Sequence, residues 1–559
     1  MSRECFFSYN EELDTLLGDV LDTALHESEM IGYIISNLPG NAKVFAPEIN
    51  FYCKNSRASL SEQADTILRM YRARLDLFDF SKETFARKRI GNTILVISGS
   101  NESLLQEQLE RFDFQVQQLK KTRLVKLTGE IGSFQVAAKD NCIGPHQLFD
   151  QIIWDDMPEK FQKISGIHNL KERKPDEIIQ TIVATPGEVT IPRKIHYQKA
   201  ACLQYFKGKS ICSGCLAVCQ SGAVEYSEDG GSLQFNHSAC TGCGSCVSQC
   251  PVGALDSTSI PRETFAELCS HYVEKNVVII PETIDLENLE IDLPAGVIPL
   301  PVKNALMFDE NYLLTLVGTS CRDVVIYCDA NHRLLAAIDF VNQVYHRKFG
   351  RNSIFHCSTK EELELALVHL NTNDYITRHF TSRRSFVSKR AETSFWLENL
   401  VANDNLGVIE TNGTPPLGSL AINTENCTLC LACAGACPMK ALTVHPEDNS
   451  LRFTASLCIQ CGHCSLLCPE ENCLSLVPNH FLLEAASFSP QIVARDELFS
   501  CLECGREFAP RKAVQKIIDT MSQHFSDDSV KLKTLSCCPD CKAKLMIEQQ
   551  IFNQQGIGV

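Results

Sequence analysis

Between Cys427 and Pro469 the sequence reads CTLCLACAGACPMKALTVHPEDNSLRFTASLCIQCGHCSLLCP. Two cysteine runs make up this stretch, and each has the form Cys-x2-Cys-x2-Cys-x3-Cys-Pro. Three thiolates at two-residue spacing can bind one face of a [4Fe–4S] cube. A pair of zinc sites or plain buried thiols is the alternative, but zinc takes four ligands per site and rarely shows this paired spacing. The stretch therefore predicts two [4Fe–4S] clusters.

The same unit occurs a second time, earlier in the chain. A shift of 218 residues, the separation of Cys212 and Cys430, superimposes seven cysteines and places Pro251 on Pro469. The superimposed cysteines are Cys212, Cys215, Cys219, Cys240, Cys243, Cys246 and Cys250 on Cys430, Cys433, Cys437, Cys458, Cys461, Cys464 and Cys468. Seven matches at one offset indicate an internal duplication.

One position of the earlier unit breaks the match. Lys209 stands where the later unit has Cys427, and the nearest upstream thiol is Cys202. The spacing Cys202-x9-Cys212 indicates a seven-residue insertion that allows Cys202 to act as the missing ligand. Alternatively, Cys202 is a core thiol and this cluster is defective, with three irons or a ligand other than Cys. Gln220 also takes the place of the proline that ends the other runs.

Residues 201–257 and 418–478 resemble two-cluster bacterial-type ferredoxin domains. The resemblance implies a low-potential electron carrier in which the fourth cysteine of each run binds the cluster of the other run. The expected ligand sets are Cys202, Cys212, Cys215 and Cys250; Cys219, Cys240, Cys243 and Cys246; Cys427, Cys430, Cys433 and Cys468; and Cys437, Cys458, Cys461 and Cys464. More broadly, the layout is similar to the cytosolic iron–sulfur cluster-binding proteins that accompany bacterial formate dehydrogenases or heterodisulfide-reductase-like complexes.

The C-terminal tail carries two further cysteine pairs, Cys501-x2-Cys504 and Cys538-x2-Cys541. Two such pairs can set four thiolates tetrahedrally, which is the geometry of a closed zinc site. Iron bound as in a rubredoxin, or no metal, are the alternatives, and Cys537 could replace Cys538. The interval between the pairs is long for a zinc ribbon and is expected to contain a helix over 511–524.

Two residues near the later clusters have no assigned role. His463 lies inside a cluster run and is expected to be a filler residue, although it could form a hydrogen bond toward the cube. Cys473 follows the last ligand closely and has no counterpart in the earlier unit, where Leu255 falls. It is expected to be a spare thiol.

These features predict an α+β multidomain protein, with two dicluster ferredoxin-like (βαβ-type) modules joined by α/β spacer domains and followed by a C-terminal zinc-ribbon-like domain. The expected segments are a helical N-terminal region (1–90), a small α/β region and connector (91–200), the first ferredoxin module (201–257), an α/β spacer (258–410), the second module (418–478) and the zinc-ribbon-like domain (490–559).

Local patterns predict individual elements outside the modules. Helices are expected from a cap at Asn10 through Leu25 and from Ser59, where Glu62 completes a capping box. Residues 124–137 are expected to form a hairpin, and the polar segment 151–200 to wrap the first module. Alternating strands and helices over 260–410 predict a parallel sheet.

Composition limits the classes of function. The chain has 559 residues, 29 cysteines and a formal net charge of −16. An acidic protein is a poor match for nucleic acid, whose phosphates need Lys and Arg, but it can dock to basic patches on redox partners. Thiols at cluster spacing favour a reducing cytoplasm. The N-terminal sequence has no apolar h-region, so no signal peptide is expected, and no stretch approaches the ~18 apolar residues that a membrane span needs. The basic residues Arg378, Arg383, Arg384, Lys389 and Arg390 are expected to form a solvated face or to receive an acidic partner.

The function predicted from these motifs is one-electron transfer. No catalytic constellation is present in the sequence, and the Gly99-Ser100-Asn101 turn lacks the Gly-x-Gly-x-x-Gly fingerprint of a dinucleotide site. Up to four clusters are expected to relay electrons between redox partners, as an accessory or subunit of a soluble oxidoreductase such as a formate dehydrogenase. A flavin-dependent oxidoreductase with its own active site and a redox-sensing or assembly factor are the alternatives.

Overall fold

The computed structural model of the protein describes residues 6–7, 35–37, 44–370 and 386–554, except for short stretches at 83, 100–101, 140–141, 145–146, 159–160, 162–163, 186, 207–208, 211, 228–231, 412 and 526–527. The helix predicted from Asn10 lies outside these residues. The chain divides into two compact units. One comprises Met1–Asn342 and Asn352–Lys389, and the other comprises Gln343–Arg351 and Arg390–Val559.

The helix Leu60–Phe80 of the first unit confirms the predicted capping box. The Ser59 side chain accepts a hydrogen bond from the Glu62 backbone N–H, while the Ser59 N–H donates to Glu62 Oε2 at 3.0 Å. The predicted helical N-terminal region (1–90) also contains strands. Its other described elements are the strands Phe6–Phe7, Ile35–Ser36, Val44–Phe45 and Thr84–Arg89 and the helix Pro47–Asn55. Three of these strands have only two residues, too few to show a periodicity in the sequence.

A four-stranded parallel sheet forms the next layer. Its order is Ile167–Asn169, Gln151–Trp154, Thr93–Ser98 and Gln115–Lys120. The helices Ser103–Glu110 and Pro175–Ala184 pack on one face. The predicted hairpin is present as Leu124–Thr128 paired with Phe134–Ala138, which pairs in turn with Leu148–Phe149.

Much of the segment 151–200, which is predicted to wrap the first module, belongs instead to this α/β layer, as two strands and the helix Pro175–Ala184. Every residue of Gln151–Trp154 is buried, and the strand pairs with neighbours on both sides. Parallel strands covered on both faces show continuous apolar runs rather than alternation, so the short run Ile152-Ile153-Trp154 was not recognised among polar neighbours. The predicted boundary between the segments 1–90 and 91–200 also changes, because the strand Thr84–Arg89 pairs with the strand Glu188–Arg193.

The first ferredoxin module is built from two antiparallel strand pairs. Ile195–Tyr197 pairs with Leu255–Ser257, and Val224–Tyr226 pairs with Leu233–Phe235. Two short helices, Gly214–Val218 and Ser245–Gln249, lie within the cysteine runs, and each ends just before the last cysteine of its run. The outer pair places the start of the module at 195 rather than 201.

A second parallel sheet confirms the α/β alternation predicted in the spacer. Its order is Val297–Val302, Asn276–Pro281, Val324–Tyr327 and Ile354–Cys357. The helices of this segment are Arg262–Cys269, Glu310–Ser320, Lys360–His369 and the start of His332–Phe349. The strand Val297–Val302 was missed because it contains Pro299 and Pro301, which cannot donate to a strand ladder. It is an edge strand, where proline is tolerated.

The second unit carries the other ferredoxin module. Its outer strands are Gly418–Ile422 and Leu474–Pro478, and its short helices are Ala432–Ala436 and His463–Leu466. A three-stranded sheet joins Leu442–His445, Ser450–Phe453 and Gln491–Arg495. The last of these strands belongs to the module, so the terminal domain begins after it and not at 490.

The remaining elements of the second unit lie around the module and in the C-terminal tail. They are the helix Lys389–Val401, the strand pair Val408–Ile409 and Phe481–Leu482, the hairpin Leu498–Ser500 and Glu507–Pro510, and the helices Arg511–Met521, Ser529–Leu535 and Pro539–Gln554. The helix predicted over 511–524 is therefore present, its last three residues forming a 3₁₀ turn. Among the described residues, no helix is both long and apolar enough to cross a membrane.

Two members of the predicted basic face are buried instead of solvated. The Lys389 side chain is 1% exposed and forms ion pairs with Asp309 at 2.9 Å and Glu310 at 3.0 Å. Arg390 is likewise buried. A buried cation is stable only when a carboxylate compensates its lost hydration, and the sequence does not reveal that Asp309 and Glu310 meet Lys389. The other three basic residues lie outside the described residues.

Asp309 links this ion cluster to the spacer fold. It accepts a hydrogen bond from Arg262 at 2.6 Å and caps the helix Glu310–Ser320 by accepting from the backbone N–H groups of Asn311 and Tyr312. Burial opposes ionisation of the Asp309 carboxyl, but Arg262 and Lys389 hold its pKa well below the usual range. The carboxylate therefore stays charged and balances two buried cations.

Replacing Asp309 by Ala should destabilise this part of the first unit by about 3–5 kcal/mol, because a buried guanidinium loses its carboxylate. Hydrogen-exchange mass spectrometry should show amide protection over Glu310–Ser320 reduced by roughly a hundredfold or more. The control is Asp329→Ala, since Asp329 is exposed. Equal protection in the two variants would contradict the assigned role of Asp309.

Candidate metal centres

Two cavities in the second module are each lined by four of the predicted ligand cysteines. One is lined by Cys427, Cys430, Cys433 and Cys468. The other is lined by Cys437, Cys458, Cys461 and Cys464. Each set combines three cysteines of one run with the last cysteine of the other, which is the grouping expected for crossed ligation.

The thiols within each set interact electrostatically. Burial raises the pKa of Cys433 to about 11, and the neighbouring Cys427, Cys430 and Cys468 raise it as well. In the other set, burial raises the pKa of Cys464 to about 12, with contributions from Cys458, Cys461 and Cys437. Thiolates crowded in this way need a metal to share their charge, so the donor sets fit an iron–sulfur cube.

The backbone of the cluster loops is bent at two fixed places. The residues on either side of Cys430, the second cysteine of its run, have a left-handed backbone, with φ of 51° at Leu429 and 63° at Leu431. The other run has 52° at Gln460 and 80° at Gly462. A left-handed residue other than glycine costs about 1–2 kcal/mol, so the loop adopts this bend against local preference. The same bend in both runs indicates that it serves to direct three thiols toward one point.

The first module shows the same bend in one of its two runs. Gly242 and Gly244 flank Cys243 with φ of 74° and 80°. In the other run, Ser213 follows Cys212 with a φ of −133° and a ψ of 12°, which is outside the left-handed region. The run that differs from the others in its cysteine spacing therefore also differs from them in its backbone conformation.

The inserted residues of this unusual run form a separate element. Tyr205–Phe206 pairs antiparallel with Lys209–Ser210, so the extra chain leaves and returns as a small hairpin. Lys209, which stands at the position expected for a cysteine, lies in this hairpin. Because the hairpin brings its ends together, Cys202 can lie close to Cys212 despite the nine residues between them.

Cys202 lies with the other three predicted ligands of its set. Burial, together with the neighbouring Cys212, Cys250 and Cys202, raises the pKa of Cys215 to about 12. The second set of this module is also assembled, because burial and then Cys240, Cys243 and Cys219 raise the pKa of Cys246. Cys215 acts on Cys246 too, so the two sets adjoin.

Backbone N–H groups point at several of these sulfurs. The N–H of Ala254 donates to Cys250 Sγ and that of Ala441 donates to Cys437 Sγ, both at 3.2 Å. Gln460 N–H donates to Cys458 Sγ at 3.4 Å. Hydrogen bonds to cluster sulfurs stabilise the more negative, reduced state and are one of the ways a protein sets a cluster potential.

Sequence reasoning missed a cation next to the same ligand in each module. Lys194 Nζ donates to the Cys240 carbonyl at 2.8 Å, and its stem lies over Gly242, where an added Cβ would come within 2.9 Å of Lys194 Cδ. Burial raises the pKa of Cys240, and Lys194 acts to lower it. In the second module, burial raises the pKa of Cys458 to about 11 and Arg390 acts to lower it. Neither cation lies within a cysteine run, so no motif marks it.

The two residues without a predicted role both line a cluster cavity. His463 is buried beside Cys464, in the cavity of the second set of its module. Cys473 is buried in the cavity of the first set. Burial raises the pKa of Cys473 to about 12, and Cys427 and Cys468 contribute, so this thiol lies against two predicted ligands.

The C-terminal cysteines form a compact group. The sulfurs of Cys501, Cys504, Cys538 and Cys541 all lie within 4.8 Å of one another. Burial opposes ionisation of Cys501, but the backbone N–H groups of Cys538, Cys504 and Glu503 lower its pKa to about 6. Cys537 is outside the group, and its thiol donates to the Lys533 carbonyl at 3.2 Å. The set that the structure brings together therefore contains Cys538.

Comparison with known proteins supports the iron–sulfur interpretation. Residues 419–469 match the 4Fe-4S dicluster domain, and residues 233–256 match the 4Fe-4S binding domain. These segments are ferredoxin-type domains, and the chain is a multi-cluster iron–sulfur protein whose domains carry out electron transfer.

The chain is also similar to a protein of Nitratidesulfovibrio vulgaris. The two are 32% identical over 129 residues, which represent 20% of this chain and 33% of that protein. The match thus spans about a third of the length of the curated relative.

Lys194→Met should lower the reduction potential of the iron–sulfur centre in the first module, because it removes a positive charge and keeps the length of the side chain. A unit charge acting through an effective dielectric constant of about 20 gives a shift on the order of tens of millivolts. EPR-monitored redox titration measures the shift. Lys126→Met is the control, since Lys126 is exposed on a strand outside the module. Identical potentials in the two variants would exclude an electrostatic role for Lys194.

Proposed function

We propose that this protein relays single electrons between a donor and an acceptor protein through up to four [4Fe–4S] clusters, two in each module. The observation that carries the proposal is the pair of cavities in the second module, each lined by its own four predicted ligands, all of which lie within the segment that matches a dicluster domain. When bound, such clusters supply one-electron chemistry at potentials that the surrounding protein adjusts.

The residues around the cysteines support this role by shielding the centres. Leu420, Leu442 and Phe453 line one cavity, and Ile422, Leu451 and Leu474 line the other. Apolar walls exclude water and make the nearby N–H groups and cations more effective, because their fields are less screened. The protein's contribution is therefore to hold the sulfurs, to limit solvent access and to set the charge around each centre.

Cys202 is proposed as the fourth ligand of the remaining cluster in the first module. Its position beside Cys212, Cys215 and Cys250 supports this assignment. The alternative, a defective cluster, has less support because a fourth thiol lies close enough to act on Cys215. The proximity of the two sets in this module supports electron transfer between their clusters.

The surface around Cys430 is proposed as the docking point for one redox partner. Cys430 is exposed, unlike the other predicted cluster ligands in the part of the chain that the structure describes. Glu425 lies just before the first of the two cysteine runs and Glu471 just after the second, and both side chains are exposed. Since the whole chain is acidic, a partner with a basic surface would be attracted and oriented there. A subunit of a soluble oxidoreductase such as a formate dehydrogenase is the class of partner that the sequence layout favours.

The C-terminal group is proposed to be a structural zinc site. Four thiolates closer than 4.8 Å to one another match the closed tetrahedral geometry of such sites. Two of them lie beside the hairpin Leu498–Ser500 and Glu507–Pro510, and two lie at the start of the helix Pro539–Gln554. A metal ion would therefore fix the helix to the hairpin.

Protein purified without oxygen should contain roughly sixteen irons per chain, four for each proposed cluster. Cys202→Ala should reduce this number by about four, or by about one if a three-iron cluster remains, because one cluster loses a ligand. Iron and sulfide analysis with EPR of the reduced protein measures the change. The control is Cys269→Ala, which removes a buried thiol outside the proposed sites. An iron content unaffected by Cys202→Ala would show that Cys202 is not a ligand.

The zinc assignment predicts different behaviour for two adjacent cysteines. Cys538→Ala should reduce the bound zinc from about one per chain to almost none, since a closed site needs four ligands. Cys537→Ala is the matched control and should keep its zinc, because this thiol donates to a carbonyl instead. Metal analysis of the purified variants measures both. Loss of zinc from the Cys537 variant, or iron in place of zinc in the unaltered chain, would overturn the assignment.

A further inference from the structure

Five thiols line the first cavity of the second module, one more than a [4Fe–4S] cube requires. Four belong to the proposed ligand set, Cys427, Cys430, Cys433 and Cys468. The fifth is Cys473, which is 4% exposed. A buried cysteine is often only a small apolar side chain, but this one lies in a metal-binding cavity and not in a general core.

The fold holds Cys473 in this position. It immediately precedes the strand Leu474–Pro478, and its carbonyl accepts a hydrogen bond from the Asn423 N–H at 2.7 Å. The thiol itself donates to the Asn423 carbonyl only at 3.9 Å, a long and weak contact. The backbone is therefore fixed while the sulfur can turn by a change of rotamer.

The two modules differ at this position. By the internal offset, Leu255 of the first module corresponds to Cys473, and it lies at the start of the equivalent outer strand, Leu255–Ser257. Leucine cannot bind iron. The first module therefore provides an internal comparison in which a lost ligand has no replacement at this position.

We propose that Cys473 is a reserve ligand for the cluster of the Cys427 set and can replace Cys427 or Cys468. This inference rests on the ligand set given above under the proposed function. In the exchange, the bond from iron to the departing sulfur breaks and a bond from iron to Cys473 Sγ forms. The proton of the Cys473 thiol passes to the departing thiolate, so neither the oxidation state nor the total charge changes. The consequence is a cluster that survives damage to one of its ligands.

The test compares variants of the full chain, purified without oxygen, by iron content and by EPR of the reduced protein. Cys468→Ala should keep nearly all its iron, because Cys473 takes the vacated position, and its EPR signal should change in shape. The double variant Cys468→Ala with Cys473→Ala should lose about four irons. Cys473→Ala alone should keep its iron. The same comparison is made for Cys427, the other ligand that Cys473 contacts. It uses the single variant Cys427→Ala and the double variant Cys427→Ala with Cys473→Ala.

The matched control is Cys250→Ala, which removes the corresponding ligand of the first module and should lose about four irons by itself. In every variant of the second module, unchanged signals from the first module show that the first unit has folded, and unchanged signals from the cluster of the Cys437 set show that the second module has folded. If both Cys468→Ala and Cys427→Ala lose as much iron as their double variants, the reserve role is wrong. It is also wrong if Cys473→Ala alone loses the cluster, since Cys473 would then be an ordinary ligand. An unaltered chain without iron would instead refute the proposed function.

Discussion

Four thiols brought to one point repel each other as soon as they ionise, and the burial of thiols such as Cys433 makes their charge still more costly. The raised pKa values of Cys215, Cys433 and Cys464 express this opposition in the protein alone. A cationic metal core removes the conflict by sharing the negative charge among the sulfurs. The crowded conformation of the cysteine loops therefore becomes favourable when a metal core is bound, so that metal binding and folding of the modules are coupled.

The other residues of each module hold these crowded thiols in place and stabilise their charge. Left-handed residues such as Leu429 and Leu431 bend the loops, and N–H groups such as that of Ala441 face the thiols. Strand pairs at the edge of each module fix where the two runs begin and end. The cations Lys194 and Arg390 come from outside the runs, which shows that the surrounding chain also contributes to the electrostatics of the sites.

Cysteine spacing is enough to mark the candidate sites in the sequence, because the chemistry depends on a few residues at fixed intervals. The grouping of Cys427 with Cys468, and of Cys437 with Cys458, follows from one short motif. Elements whose signal is distributed or short were harder to predict. The strand Gln151–Trp154 is a brief apolar run, and Val297–Val302 contains prolines that obscure it. Lys389 was assigned to the surface because its acidic partners, Asp309 and Glu310, are distant in sequence and meet it only in the folded chain.

The hairpin Tyr205–Phe206 and Lys209–Ser210 lies within the ligand run of a single proposed centre. Chain added between two anchored positions is tolerated when its ends remain close together, since the entropy of closing a loop grows only slowly with its length. The duplicated modules could thus diverge by lengthening one loop while their remaining sulfur framework stayed intact. Such a loop is also a point of attachment at which a label or an extra peptide would report on one cofactor of the several that the chain carries.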